Sequence, residues 1–133
     1  MEEQIGKEVL DAAFKVHKVL GGGLLESAYE QAMTYELVSR GLRVETQVLV
    51  PVWYEGQKLE NAFRADLIVG GQVLLELKSV REVIPAHKKQ VLTYLRLSGM
   101  KLAYLINFGD KQLKSGISRI VTGLPEPAQK RFS

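Results

Sequence analysis

Residues 62–79 read AFRADLIVGGQVLLELKS: two apolar runs around a glycine pair, with Asp66, Glu76 and Lys78 set among the apolar residues. Side chains alternate along a strand, so Val73, Leu75 and Leu77 share one face and Leu74, Glu76 and Lys78 the other. On the preceding strand Ala65, Leu67 and Val69 oppose Arg64, Asp66 and Ile68. Joining the apolar sets into one core face brings Asp66, Glu76 and Lys78 onto a common face. The turn then needs an odd count. A two-residue Gly70-Gly71 loop sets Asp66 against Leu75 and mixes the faces. A three-residue or bulged loop with glycine at positive φ sets Asp66 against Glu76.

Two carboxylates facing each other across strands repel unless a cation or a proton sits between them. Oxygen donors with no thiolate and no clustered histidine favour Mg²⁺ or Mn²⁺ over zinc. Lys78 lies beside such a site, where it could orient water or stabilise phosphate charge. The same three residues equally describe a cross-strand ion network on a solvated face. Spacing alone leaves both readings open.

Outward from this hairpin, the upstream chain reads as two helices. Ile5, Val9, Ala13, Val16 and Leu20 recur at helical spacing from about Glu3 to Leu20. Gly21-Gly22-Gly23 stops that helix. A second runs from about Leu25 to Arg40, with Gly41 just past its end. RVETQVLVPVWY then alternates and is β-branched and aromatic, predicting a strand over Leu42–Tyr54, a turn at Glu55-Gly56 and a second strand to Val69. The third strand spans Val73–Val80. Pro85 opens a helix to Ser98 with Gly99 as its stop, KLAYLINF is a short buried strand, and SGISRIV is a candidate for one more. The expected architecture is an α/β sandwich around a mixed sheet, in the order α-α-β-β-β-α-β. It forms a single domain over residues 1–124, followed by a flexible tail over 125–133.

A chain of 133 residues, 46% hydrophobic and 25% charged, has the composition of one ordinary globular domain. No apolar run reaches the roughly 18 residues of a membrane span, and the acidic, amphipathic start is unlike a secretory signal. The absence of cysteine excludes disulfides, thiolate metal sites and a cysteine nucleophile, and fits a cytoplasmic location. A net charge of +3 permits a polyanionic partner without arguing for one.

DLIVGGQVLLELK resembles the D…(D/E)-x-K signature of the PD-(D/E)XK nuclease superfamily. Upstream, GLLESAYE matches G-x-x-E-x-x-Y through Gly23, Glu26 and Tyr29. Together with VHKVLGGGLLESAYE, ETQVLVPVWYEG, QVLTYL and LINFG, these motifs resemble the GxxExxY family, a branch of that superfamily. The resemblance covers about Ile5 to Gly109 and implies a restriction-endonuclease-like fold. It also implies an Mg²⁺- or Mn²⁺-dependent nuclease, with DNA the first choice of substrate and RNA the second. Asp66, Glu76 and Glu26 would be metal ligands, joined by the Leu77 carbonyl, and Lys78 the catalytic lysine. Glu26 also suits a helix start simply as a carboxylate.

Gln90 and Tyr94 match a Q-x-x-x-Y element of exonuclease-type members, with His87 one turn earlier as a supporting residue or an ordinary surface histidine. Tyr94 also reads as core packing. Arg64, Arg81, Lys88 and Lys89 are candidates for phosphate contacts or for a solvated face. Glu45 and Gln47 are expected behind the ligands, opposite Asp66 and Arg64 if Glu55-Gly56 is a two-residue turn. Ala65 stands where the superfamily's name has proline, a position that needs extended backbone rather than a ring. No base-reading element stands out. A second copy or a larger protein is the expected partner besides nucleic acid. The competing reading is a catalytically inactive nucleic-acid- or protein-binding module on the same fold.

Overall fold

The computed structural model describes residues 1–123. Helices α1 (Glu2–Leu20) and α2 (Glu26–Ser39) lead into strands β1 (Val44–Tyr54), β2 (Gln57–Val69) and β3 (Val73–Lys78). Helix α3 (Pro85–Ser98) crosses to β4 (Leu102–Asn107), and a 3-10 turn over Leu113–Gly116 leads into β5 (Ile117–Val121). The tail expected over 125–133 lies outside the described residues. No helix among the described residues is long and apolar enough to cross a membrane.

The five strands lie in the order β1-β2-β3-β4-β5. Only β3 and β4 run parallel, which is why a helical crossover separates them. β3 is central and covered on both faces, so Val73–Leu77 are all buried. On one face α1 and α2 bring Val9, Val16, Tyr29 and Met33 against Leu67, Leu75, Leu77 and Ile106. On the other, α3 brings Val91 and Leu95 against Phe63, Ile68, Leu74 and Ala103.

The turn between β2 and β3 has the odd count that alternation requires. Val69 pairs with Val73, leaving the three-residue loop Gly70–Gln72, with Gly70 and Gly71 at φ of +60° and +68°. One assignment differs from expectation. Ala65 packs not with Leu67 and Val69 but with Val50 and Phe63 beneath α3. The inward face of β2 therefore changes over between Ala65 and Leu67. β1 changes over beside it, since Val44 packs against the α1/α2 core and Val48 against the α3 core.

The β1–β2 hairpin also corrects the expected register. Its turn is the two-residue Glu55-Gly56, with Tyr54 paired to Gln57. Pairing then jumps from Val52↔Leu59 to Val50↔Phe63. The irregularity moves the rest of the ribbon by two positions. Glu45 consequently lies opposite Ile68, and Arg64 opposite Leu49, rather than facing Asp66 and Gln47.

Candidate active site

The site begins where the β2–β3 ladder stops. Backbone pairing runs Val69↔Val73, Ile68↔Leu74 and Leu67↔Leu75 and goes no further. One step on, side chains take over the backbone donors. The Asp66 N–H donates to Glu76 Oε1 at 3.3 Å, and the Leu77 N–H donates to Asp66 Oδ2 at 2.8 Å. Buried backbone donors must find acceptors, and here the two carboxylates are those acceptors. The strands splay into a notch with Asp66 and Glu76 side by side.

Electrostatics follow from that placement. Glu76 is only 7% exposed. Burial, then the charge of Asp66, pushes its carboxyl up to about 7, against the Asp66 N–H bond and the Lys78 ammonium. Asp66 is raised as well, first by burial. The Leu77 N–H, the Gln47 amide and Lys78 oppose the shift, and the charge of Glu26 adds to it. Two desolvated carboxylates under mutual repulsion, all donors being oxygen, fit a hard divalent cation. Among the described residues no three His, Cys, Asp or Glu side chains close into a metal cage. The acids stand as a pair with Glu26 nearby.

Glu26 is the first residue of α2, and its Oε2 accepts the Ser79 N–H at 3.3 Å. Ser79 Oγ in turn donates to the Leu24 carbonyl at 2.5 Å. The glycine-rich loop before α2 thus docks against the residue that follows Lys78. Tyr29 pins that loop from beneath, donating to the Gly21 carbonyl at 2.6 Å and accepting the Leu24 N–H at 3.2 Å. Its ring stacks on Phe108 at 4.4 Å. The G-x-x-E-x-x-Y spacing is therefore a loop, an acid at a helix start, and the residue that holds the loop in place.

The exit of β3 is held from β4. Phe108 N–H donates to the Lys78 carbonyl at 2.8 Å. The wholly buried Asn107 donates to the Val80 carbonyl and accepts the Val80 N–H, at 2.9 and 3.0 Å. It also bonds Gly109 N–H and Asp110 Oδ2, each at 3.0 Å. These bonds end β3 at Lys78, two residues before the expected Val80. A Cβ on Gly109 would lie 2.2 Å from the Val80 carbonyl, so this approach requires glycine. Asn107 and Tyr29 carry positioning that the sequence reading did not assign. The only signals for Asn107 were a polar residue in an apolar strand and the glycine two residues on.

The other candidates divide. Tyr94 stacks on Phe63 at 3.8 Å. Its hydroxyl is raised by burial first, then by the charge of Glu76, against the Gln90 amide. Tyr94 thus approaches Glu76 from α3, with the Gln90 amide on its hydroxyl. His87 is occupied elsewhere: its Nδ1 accepts the Ile84 N–H at 3.3 Å and caps α3. Gln47 reaches Asp66 Oδ1 at 3.4 Å, whereas Glu45 has moved two positions along the ribbon. Arg64, Arg81, Lys88 and Lys89 are all exposed.

A cavity of about 290 Å³ beside the acids is lined by Glu26, Ser27, Glu30, Gln47, Asp66 and Leu77. Lys88 lines a separate polar pocket with Glu82, Asp110, Ser115 and Ser118. A mainly apolar hollow between α1 and α2, lined by Val16, Val19, Leu20 and Ala32, has Lys15, Tyr35 and Glu36 at its edge, with Lys15 and Glu36 paired at 2.9 Å. Glu30 is a further cavity residue that sequence reasoning missed, although it lies one helical turn after Glu26.

No curated protein and no solved structure matches this chain. A family model described as the PD-(D/E)XK nuclease superfamily matches residues 3–120. The mixed sheet between two helical layers is consistent with that superfamily's restriction-endonuclease-like fold. Asp66, Glu76 and Lys78 stand on adjacent strands as D…E-x-K, and the match runs from the first turn of α1 through all three helices and into β5: this chain belongs to the PD-(D/E)XK nuclease superfamily.

Proposed function

We propose that this chain is an Mg²⁺- or Mn²⁺-dependent nuclease that hydrolyses phosphodiester bonds in DNA rather than RNA, and that it belongs to the GxxExxY branch of its superfamily. The opened ladder carries the reading: Asp66 and Glu76 sit together in a desolvated notch, each holding a backbone N–H, with Lys78 close enough to stabilise both charges. Asp66, Glu76, Glu26 and the Leu77 carbonyl would hold the cation. When bound, it would offset charge at phosphorus and make a nearby water more acidic.

Lys78 orients the attacking water and stabilises the non-bridging phosphate oxygens as charge builds on them. A bond forms between the water oxygen and phosphorus, and the bond from phosphorus to the leaving sugar oxygen breaks. The proton released by the water goes to solvent, and the leaving oxygen is protonated in turn. Tyr94 and Gln90, on the α3 side of Glu76, order the nucleotide and Lys78. Arg64, Arg81, Lys88 and Lys89 supply phosphate contacts that do not depend on sequence. The domain would act in the cytoplasm with a second copy or a larger protein partner.

The test is a panel of linear, nicked, single-stranded and branched DNA, plus RNA, with Mg²⁺ or Mn²⁺, comparing wild type with Lys78→Ala. Cleavage of DNA that falls at least about 100-fold in the variant supports the reading. The competing reading is a catalytically inactive nucleic-acid- or protein-binding module on the same fold. A wild type that binds nucleic acid and cleaves none of the panel would establish that alternative.

A further inference from the structure

Two non-glycine residues among the described residues have positive φ, Gln47 at +51° and Glu55 at +47°. Glu55 sits in a two-residue hairpin turn that demands this conformation. Gln47 sits in mid-strand, where a left-handed glutamine is strained and no turn accounts for it. Its place in the register is telling. Thr46 pairs with Leu67 and Val48 with Ala65, so Gln47 stands level with Asp66, and this pair alone is missing from that run of the ladder.

The left-handed residue sits where the inward face of β1 changes over, and its side chain reaches two carboxylates. Gln47 Nε2 donates to Glu30 Oε1 at 2.6 Å and to Asp66 Oδ1 at 3.4 Å. An amide nitrogen carries two hydrogens, so both bonds can exist together. Asp66 is then held from two sides, the Leu77 N–H on Oδ2 and Gln47 on Oδ1. Glu30, one turn after Glu26 on α2, anchors the amide from the far side of the cavity.

We propose that Gln47 is a positioning residue: its left-handed backbone and bridging amide tie Asp66 to Glu30 and aim the Asp66 carboxylate into the cavity beneath Glu26. This rests on the proposed metal-dependent reading and adds to it a residue outside the D…E-x-K motif. Strain kept for aim predicts an unusual pairing of effects. Gln47→Gly relieves the backbone and removes the amide, so stability and function should move in opposite directions.

The experiment compares wild type and Gln47→Gly by thermal unfolding without metal, by Mn²⁺ binding with calorimetry, and by kcat and KM on the best DNA substrate of the panel. The expected result is an equal or higher Tm, Mn²⁺ affinity weakened about tenfold, and a lower kcat at unchanged KM. Gln47→Asn, which keeps an amide and tolerates left-handed backbone, should recover part of the affinity. Wild-type Mn²⁺ affinity in Gln47→Gly overturns the proposal. So does a loss of affinity that comes with a lower Tm, because that is a folding defect. A wild type that binds Mn²⁺ but cleaves nothing overturns the nuclease reading alone, and the binding arm still decides Gln47. A wild type that binds no Mn²⁺ overturns both.

Discussion

The two hairpins of the sheet share a strand and obey different rules. The inner one, β2–β3, has a three-residue loop whose count sets every pair beyond it, down to the notch at Asp66 and Glu76. The outer one, β1–β2, begins from a regular two-residue turn, yet its register shifts by two between Val50 and Val52. The difference lies in burial. β3 is covered on both faces, so a slip of one residue would drive Glu76 and Lys78 into the α1/α2 core. The outer ribbon is exposed at Leu49, Trp53, Tyr54 and Leu59, and there a bulge can absorb a mismatch. A turn dictates register only as far as packing makes slippage expensive.

A one-residue slip within β3 is the severest way to break this contrast. Deleting Leu74 moves Leu75–Lys78 by one place against β2 and turns Glu76 and Lys78 toward the α1/α2 core. The expected outcome is loss of cooperative folding, read by circular dichroism and urea titration. Deleting Glu60 in the outer irregularity should leave a folded domain with a modestly lower urea midpoint. If both deletions behave alike, burial does not explain the difference.

Next in size is a matched truncation. Leu75→Ala, at a fully buried position, should cost about 2–5 kcal/mol. Leu59→Ala, at a position 42% exposed, should cost less than about 1 kcal/mol. Urea midpoints at constant m-value measure both.

The notch itself has a pH signature. Glu76 titrates at about 7 in the folded protein against an ordinary value of 4.5. Between these values the folded chain holds a proton that the unfolded chain has lost. The stabilisation from this group is therefore complete below pH 4.5 and is lost as pH rises through 7, by about 3 kcal/mol in all. In chelator, wild-type stability should fall across that window, and Glu76→Gln should flatten the slope. An unchanged slope in Glu76→Gln would place the titration elsewhere.

The smallest contrast is between glycines in the two turns. Gly70 and Gly56 both have positive φ, and alanine there costs roughly 1 kcal/mol from the backbone alone. A Cβ at Gly70 also meets Ile5 Cδ1 at 2.7 Å, whereas one at Gly56 meets nothing within 4 Å. Gly70→Ala should lower Tm more than Gly56→Ala, by a few degrees at most.

Local chemistry carried much of this protein's design in its sequence. Period 3.6 marked the helices, period 2 the strands, and glycine the stops. The apolar alternation on either side of Gly70-Gly71 required an odd loop and hence the meeting of Asp66 with Glu76. These features depend on neighbours a few residues apart, so a linear pattern can hold them.

Tertiary structure decided the rest. It set the two-residue shift that takes Glu45 away from Asp66 while Gln47 comes level with it. It moved Ala65 into the α3 core and committed His87 to capping a helix. It also placed Tyr29 under the glycine loop, Asn107 behind Lys78, and His17 on the Asp110 carbonyl at 3.0 Å. Most of these contacts join elements distant in the chain, and each is chosen by how two layers pack onto one sheet. Alternation and turn counts are local properties, whereas the place where a ladder opens and the side chains that occupy the gap are settled only when those layers meet.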